Sequence, residues 1–572
     1  MDSKENIHEA IREERRARES LSLQDPGELI RTGKSSQLLE KMLYFTAPEA
    51  FLLNVDYLVE EGLNQELVHD GPAAQHFLKF FVELSLALNS VLPRWNLQDR
   101  EVQGEAAVTN AQVQATAARV KAAAAALGAT APQAAQSVLA QQEHEIVARL
   151  KVEGADDPTG EAAALVGNSI EKTITHLSAE ISCSHLRRMA EMRFSHQTQT
   201  EFSNDYAAFL PYALYLGASF ATTNPPLVNL AWAAQPEHWD KVAVDLIKQH
   251  PGRDSYDLAK LMTLEVVLEQ MQFLRPIFLL SDGKMGYVCL QVAPRNHSRA
   301  DLMIEDALFF YQQLQNRLQG GIPNVVFKLP GTAAGLEAGR ALTKKGIGVT
   351  ITVSFGMFQH LPFIQAIADG AAITSYIVQM NGRLAFPVRD ELLGKLSQLE
   401  EQGFDEARVR EAAAWAGVVI AKRLHSYIEN TPQRERIKSL IASLRFYQGG
   451  GYQDLPSPCP DISETVGSGI ISVFPNIRRA FDRLEEIELT PNQVEGPVPK
   501  QVLEVLEHSE IFKQSYYIEG DELRLRPENV ITLRDEQGVA AWPPVRDTLA
   551  EFIKAYENTA GHFRELKATI EH

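Results

Sequence analysis

The sequence predicts an α/β fold: a (β/α)8 TIM barrel with a large N-terminal helical extension and a C-terminal extension. Three observations predict it. Up to about Thr200 the apolar residues recur at helical spacing. Beyond it, short β-rich runs alternate with helical stretches, the pattern of parallel strands joined by crossover helices. Eight such units fit into roughly 280 residues, the size of one such barrel. The division implied is a helical extension over 1–197, a barrel over 198–480, and a C-terminal extension over 481–572 whose final helix packs on the barrel.

In the helical part, Leu38-Leu39-Met42-Leu43 and Phe77-Phe80-Phe81-Leu84 are stripes of amphipathic helices against a core. From Ala106 to Gln142 the composition shifts to Ala, Gln and Thr around Gly128 and Pro132, which reads as two Ala-rich helices or a partly ordered linker. Gly27 and Gly33-Lys34-Ser35 imitate a phosphate-binding loop, but five residues separate the glycines where that loop needs four, and no strand precedes them. Chance is the better reading. The expected strands are Glu201–Ser203, Ala218–Thr223, Tyr287–Ala293, Val325–Leu329, Val349–Phe355, Ala371–Ile377, Ser439–Phe446 and Ile470–Val473. After Phe474 the pattern gives a Leu/Glu-rich helix, a hairpin around Tyr516–Leu525, and a last helix after Pro543-Pro544.

Composition narrows the function classes. The chain has 572 residues with 55 Lys+Arg against 74 Asp+Glu, a formal net charge of -19. Such an acidic protein repels nucleic acid and anionic membranes, so any phosphate it binds must be met by a few focused cations. Cys183, Cys289 and Cys459 fit neither a zinc set nor a disulfide framework, and no run of eighteen apolar residues occurs. The expectation is a cytoplasmic protein with no membrane and no nucleic-acid partner. His8-Glu9 and His144-Glu145 lack a second His at metalloprotease spacing, so no metal site is expected. The isolated histidines, His297 and His360 among them, read as surface or packing residues.

In a barrel of this kind, polar residues at strand C-termini carry the chemistry. Lys328 ends the apolar run Val325–Phe327. A buried ammonium either finds a carboxylate or has its pKa pushed down, and a depressed pKa makes the amine nucleophilic toward carbonyls. On the lysine alone the two readings are even. Thr222-Thr223-Asn224-Pro225 closes another expected strand and puts two hydroxyls and an amide at the mouth.

Here a resemblance becomes specific. Ala221–Val228 resembles the "Ala-Thr-Thr-Asn-Pro-Ser-Leu" signature of transaldolases, and Val325–Thr332 resembles their "Val-Val-Lys-Ile-Pro-Ala-Thr". Val349–Phe355 with Gln359 is similar to the family's strand with an "Asn-Leu-Thr-Leu" core. Ser375 with Gly382-Arg383 resembles "Ser-Pro-Phe-Val-Gly-Arg", and Ala442-Ser443-Leu444-Arg445 resembles "Ala-Ser-Phe-Arg". The motifs occur in family order and cover about half of the chain, between Thr200 and Phe481.

The resemblance implies a cofactor-free class I aldolase mechanism on a small sugar phosphate. Lys328 would form a Schiff base with the ketose. Asp205 would be the general base, with Glu201 as a substitute; helix capping by Asn204 or Asp205 is the plain structural alternative. Asn224, with Thr223, would bind sugar hydroxyls, and Thr352 would position a water, although a β-branched residue in a strand needs no such role. Thr350, Ser375 and Ser443 would contact substrate, the serines having a plain packing alternative. Arg445 and Arg383 would bind phosphate, for which a guanidinium fork is suited as well as for a carboxylate. Gly449-Gly450-Gly451 could bring backbone N–H groups to the same phosphate, though a turn explains them as well.

Three departures stand out. Tyr287–Arg295 is similar to the family's "Val-Ser-Thr-Glu-Val-Asp-Ala-Arg", with Gln291 in place of the catalytic glutamate. A glutamine holds a water but does not take its proton, and the related fructose 6-phosphate aldolases carry Gln there too. Thr350 replaces an Asn, and the stretch between Ser375 and Arg383 is longer than in the motif. Three readings follow: transfer of a dihydroxyacetone unit between sugar phosphates, cleavage that releases that unit, or a catalytically weak sugar-phosphate sensor or scaffold. The N-terminal helices would be an oligomerisation surface, a protein-partner module or a second lid.

Overall fold

The computed structural model describes residues 4–22, 25–64, 66, 68–91, 108–206 and 208–570. Eight parallel strands close into a barrel in sequential order: β1 (Glu201–Asn204), β2 (Phe220–Ala221), β3 (Tyr287–Gln291), β4 (Val325–Pro330), β5 (Val349–Thr352), β6 (Ser375–Met380), β7 (Ile437–Ala442) and β8 (Ile470–Val473). The seam is the β1–β8 ladder, in which Glu201 faces Ile470 and Asn204 faces Val473. All eight expected strands are present, with revised ends. β2 is short because Asn224 already caps the next helix, its Oδ1 accepting from Leu227 N at 3.0 Å, and Pro225 opens that helix. Val353 (φ 51°) and Ser443 (φ 58°) turn into the left-handed region and stop β5 and β7 before Phe355 and Phe446. β6 starts at Ser375, four residues later than expected, because Ala371 N is bonded to Thr343 O in the helix Ala333–Lys344 and the ladder with β7 begins at Ser375–Ile437.

Ten helices precede the barrel among the described residues. The Phe77-Phe80-Phe81-Leu84 stripe is buried in the helix Pro72–Leu88. The Ala-rich stretch forms two helices, Asn110–Thr130 and Pro132–Val152, and its residues 106 and 107 lie outside those described. A capping box between Thr109 and Gln112 starts the first, and Pro132 at the first turn of the second enforces the break. Gly27 sits inside the short helix Pro26–Arg31, with no strand before it among the described residues. No helix is long and apolar enough to cross a membrane among the described residues.

The extension grips the barrel twice. The helix Lys4–Ser20 lies across the end opposite the mouth, where Ile11 and Ile7 pack on Gly283 and Gly346 in the loops before β3 and β5. There Arg12 pairs with Asp282 at 2.6 Å, and the buried Arg275 with Glu14 at 3.0 Å. The second grip is on the helix Pro475–Asp482 that follows β8. Glu153, 4% exposed, pairs with Arg478 and with Arg149 at 3.3 Å, both of them buried. Glu161 holds Arg479 and Arg483. Asp482 accepts from Ser184 Oγ at 2.9 Å and His185 N at 2.8 Å. Removing the shared carboxylate would leave the buried Arg478 without its ion pair, while Arg149 would keep Glu180 at 2.9 Å. Glu153→Ala is expected to lower stability by about 3–5 kcal/mol, read as an earlier first transition in a urea titration.

After β8 the chain forms helices Lys500–Leu506 and Glu510–Tyr516, a 3₁₀ turn Leu523–Leu525, and the long helix Pro543–Ile570. The expected hairpin around Tyr516–Leu525 is therefore a correction. Ser509 caps Phe512 N at 3.0 Å and commits that segment to helix before any strand can start. The expected last helix is present and reaches back to the barrel, Asn229 Nδ2 donating to Ala555 O at 2.8 Å and Thr559 Oγ1 to Asn229 Oδ1 at 2.6 Å.

Candidate active site at the barrel mouth

A parallel barrel delivers the C-terminal ends of all its strands to one face, so residues distant in sequence meet there. A cavity of about 360 Å³ opens at this face. Of the residues expected at a site, Asp205, Asn224, Lys328, Thr350, Thr352, Arg383, Ser443 and Arg445 line it together.

Lys328 is 5% exposed. Its Nζ donates to Thr223 O at 3.3 Å and has no carboxylate at ion-pair distance among the described residues, Asp205 acting on it only through space. The even choice left by the sequence thus falls away from a structural salt bridge. Thr350 stands opposite Lys328 in the β4–β5 ladder, and Thr352 lies one inward position nearer the mouth, its hydroxyl 3.8 Å from Met380 Sδ. Below them Cys289 Sγ donates to Thr350 Oγ1 at 3.4 Å, and burial pushes the Cys289 thiol up to about 11.

Asp205 follows β1 and does not cap a helix, since the next helix, Leu210–Tyr215, is entered through Phe209. Burial raises the Asp205 carboxyl above the usual range, opposed by Lys328, the Thr222 hydroxyl and the two arginines. Thr222 Oγ1 donates to Asp205 Oδ1. Thr222 Oγ1 also lies 3.1 Å from Ser472 Oγ, which lies 3.1 Å from Ser203 Oγ. A hydroxyl has one proton to give, so the chain runs from Ser203 through Ser472 and Thr222 to the carboxylate. Glu201, the substitute, sits at the opposite end of β1, receives Ser219 Oγ at 2.8 Å and is paired with Lys438 at 2.5 Å. It is a structural ion of the barrel floor.

Three expected residues do not line the cavity. Ser375 begins β6, at the far end of the barrel from the mouth, and its Oγ accepts from Val349 N at 3.1 Å. It occupies the outward face, because Val378 and Met380 on the same strand line the cavity. Aligned on its Gly-Arg end, the family motif places Val378, not Ser375, where the motif has Ser. Thr223 is the second correction: its hydroxyl is committed to Cys289 O at 2.7 Å, and it is Thr222 that faces the cavity. Gln291 is off the cavity wall but not away from the amine. It stands beside Lys328 in the β3–β4 ladder, 9% exposed, with a buried Oε1 that has no partner among the described residues.

The two arginines differ. Arg445 carries no carboxylate ion pair among the described residues; its Nη1 donates to Ser443 O at 3.3 Å and Leu444 O at 3.0 Å, its guanidinium lies 4.9 Å from the Phe386 ring, and burial lowers its pKa. Arg383 is engaged: its Nη1 and Nη2 each donate to one oxygen of Glu551 at 2.7 Å, and that guanidinium holds the Glu551 carboxyl below the usual range. One buried carboxylate ties both arginine loops. Asp461 accepts from Arg445 N at 2.8 Å and from Asn381 Nδ2 at 2.9 Å, and burial pushes its pKa up to about 6. Between the loops Gly382 N donates to Ser443 O at 2.9 Å, and a Cβ at Gly382 would stand 2.5 Å from that oxygen. Only glycine permits the approach. Asn224 lines the cavity with its Oδ1 spent on the helix cap, and its Nδ2 has no hydrogen-bond partner among the described residues. Gly449-Gly450-Gly451 forms an exposed turn off the cavity wall.

Thr222, Ser472, Asp461 and Glu551 are the site residues that sequence reasoning missed. Thr222 was within reach, as the first hydroxyl of the Thr-Thr-Asn turn. The others become visible only through partners far away in the chain.

Residues 215–446 match the model of the Transaldolase/Fructose-6-phosphate aldolase family. The chain is 28% identical over 154 residues to a transaldolase of Thiobacillus denitrificans, covering 27% of this chain and 40% of that protein. A transaldolase of Parafrankia sp. is 25% identical over 272 residues, 44% of this chain and 69% of the relative. One from Neisseria meningitidis is 25% identical over 203 residues, 33% and 55% respectively. The matched part thus spans less than two thirds of the first and third of these relatives.

Proposed function

From the match of residues 215–446 to the Transaldolase/Fructose-6-phosphate aldolase family, we propose that the barrel is a Schiff-base enzyme that transfers a dihydroxyacetone unit between sugar phosphates. The observation that carries this reading is the amine of Lys328, buried without an ion pair in a cavity that also holds a carboxylate, hydroxyls and two guanidinium groups.

In this reading Lys328 Nζ adds to the C2 carbonyl of a ketose phosphate, and loss of water gives the protonated imine. Asp205 takes the proton of the C4 hydroxyl. The C3–C4 bond breaks, its electron pair moves toward the imine nitrogen to give an enamine, and the aldose phosphate leaves. The enamine carbon then attacks an acceptor aldehyde, and hydrolysis frees Lys328. Asn224 Nδ2 and Ser443 Oγ offer hydrogen bonds to sugar hydroxyls, and Arg445 and Arg383 supply the cations for the phosphate end. Thr352, which lines the same cavity, would hold a water that carries protons to and from the imine.

Gln291 favours a second reading, cleavage in place of transfer. It stands beside Lys328 where the transaldolase motif has Glu, and an amide cannot accept the proton a carboxylate would take. Borohydride reduction with fructose 6-phosphate tests the Schiff base: a mass adduct is expected on the peptide that contains Lys328. No adduct at saturating substrate would sink both catalytic readings in favour of a sensor or scaffold. Adding erythrose 4-phosphate then separates the first two, since transfer needs the acceptor and cleavage does not.

A further inference from the structure

An arginine that is to bind phosphate must have a free fork, and the fork of Arg383 is not free. Both of its terminal nitrogens are taken by the two oxygens of Glu551, at 2.7 Å each, in the bidentate geometry a phosphate would use. Glu551 comes from the helix Pro543–Ile570, and with its neighbour Phe552 it forms part of the cavity wall. The pair is not locked in the core: the Glu551 side chain is 49% exposed and that of Arg383 23%. Arg445 lines the same cavity with no carboxylate of its own among the described residues. The two arginines are thus unequal, one open to an anion and one already holding an internal anion on a side chain that has room to leave.

We propose that Glu551 is a specificity-determining residue that competes with the anionic end of the substrate for Arg383, so that only an anion stronger than a carboxylate, a phosphate dianion, recruits both arginines. The inference rests on the reading of the cavity as a ketose-phosphate site and adds to it. A phosphate ester entering the cavity first meets Arg445. Its second contact forms only when the Glu551 carboxylate swings off Arg383 toward solvent, which its exposure allows. A sugar acid or a neutral sugar offers nothing better than the carboxylate already present and gains only one arginine. Apparent affinity is lowered by the fraction of molecules in which Glu551 holds the fork.

The test uses the full-length protein and inorganic phosphate as the probe, with binding measured by titration calorimetry so that turnover is not needed. Glu551→Gln keeps the size of the side chain at a half-exposed position and removes the competing charge. It is expected to bind phosphate about fivefold to tenfold more tightly than the unmodified protein, and the gain should disappear in the double variant Arg383→Met, Glu551→Gln. Unchanged or weaker phosphate binding in Glu551→Gln would overturn the proposal, as would a gain that survives the loss of Arg383. The borohydride experiment on the same variant keeps the two readings apart. No adduct together with tighter phosphate binding defeats the catalytic reading and leaves the competition standing; an adduct without tighter binding does the reverse.

Discussion

Lys328→Met is expected to abolish the borohydride-trapped adduct and to lower kcat/KM by on the order of 10⁴-fold or more, because the nucleophile and the electron sink are the same nitrogen. Methionine has about the volume and flexibility of the lysine stem. The substitution leaves the packing among Thr350, Thr352 and Met380 intact and removes only the amine. Lys328→Arg should be as inactive, since a guanidinium is not nucleophilic at any working pH. The fold is expected to tolerate Lys328→Met well: it replaces a buried ammonium that has no ion pair among the described residues. Loss of activity with unchanged or raised thermal stability is the expected signature. A variant that retained more than a few per cent of the activity would remove Lys328 from the mechanism.

Asp205→Asn is expected to cost about 10²- to 10⁴-fold in kcat. The amide can still accept from Thr222 Oγ1, so the geometry survives while the base is lost. The pH dependence has a definite sign. Burial raises the Asp205 carboxyl above its ordinary range, and the base works only when ionised. Activity should therefore fall as pH drops through this elevated pKa, with the acid limb of the kcat/KM profile lying above the range of an ordinary aspartate. For stability the sign is opposite. A folded-state pKa above the unfolded value means the protein is favoured by Asp205 below the unfolded pKa, and that contribution is lost as pH rises through the folded one. At neutral pH the buried carboxylate opposes folding, so Asp205→Asn should be slightly more stable than the unmodified protein while far less active. The acid limb measured with a saturating acceptor, set beside a urea titration at pH 7, checks both halves.

Most of the strands are legible because they are short runs rich in β-branched and aromatic residues between polar turns, β1 (Glu-Phe-Ser-Asn) carrying the least of that signal, and Lys328 stands out because an ionisable residue in such a run needs a reason. Strand ends were less legible. Nothing local says that β6 begins at Ser375 and not at Ala371, and that offset of four residues put Ser375 at the wrong end of the barrel. The same resolution limit exchanged Thr223 for Thr222: neighbouring residues on a strand face opposite ways, and here only the Cys289 carbonyl decides which one turns inward. Ser472 and Glu551 were illegible for another reason. Ser472 is an ordinary serine until the seam sets it 3.1 Å from Thr222, 250 residues earlier. Glu551 is one of several acidic residues on an amphipathic helix, and its partner Arg383 is 168 residues away. The N-terminal helices followed from their periodicity, but their hold on the helix after β8 depends on ion pairs spanning more than 300 residues, such as Glu153–Arg478.

The hydroxyl chain to Asp205 has a consequence for how the molecule comes alive. Ser203 belongs to the first strand, Thr222 follows the second, and Ser472 belongs to the eighth, so the line of oxygens is drawn across the one joint where the sheet meets itself. A chain that has formed β1 to β4 already carries Lys328, Gln291 and Asp205, but until β8 docks nothing on its far side aims the Thr222 hydroxyl. Assembly and competence are then one event. A partly folded or nicked barrel would hold Lys328 and Asp205 without the line of hydroxyls that reaches Thr222 from the seam.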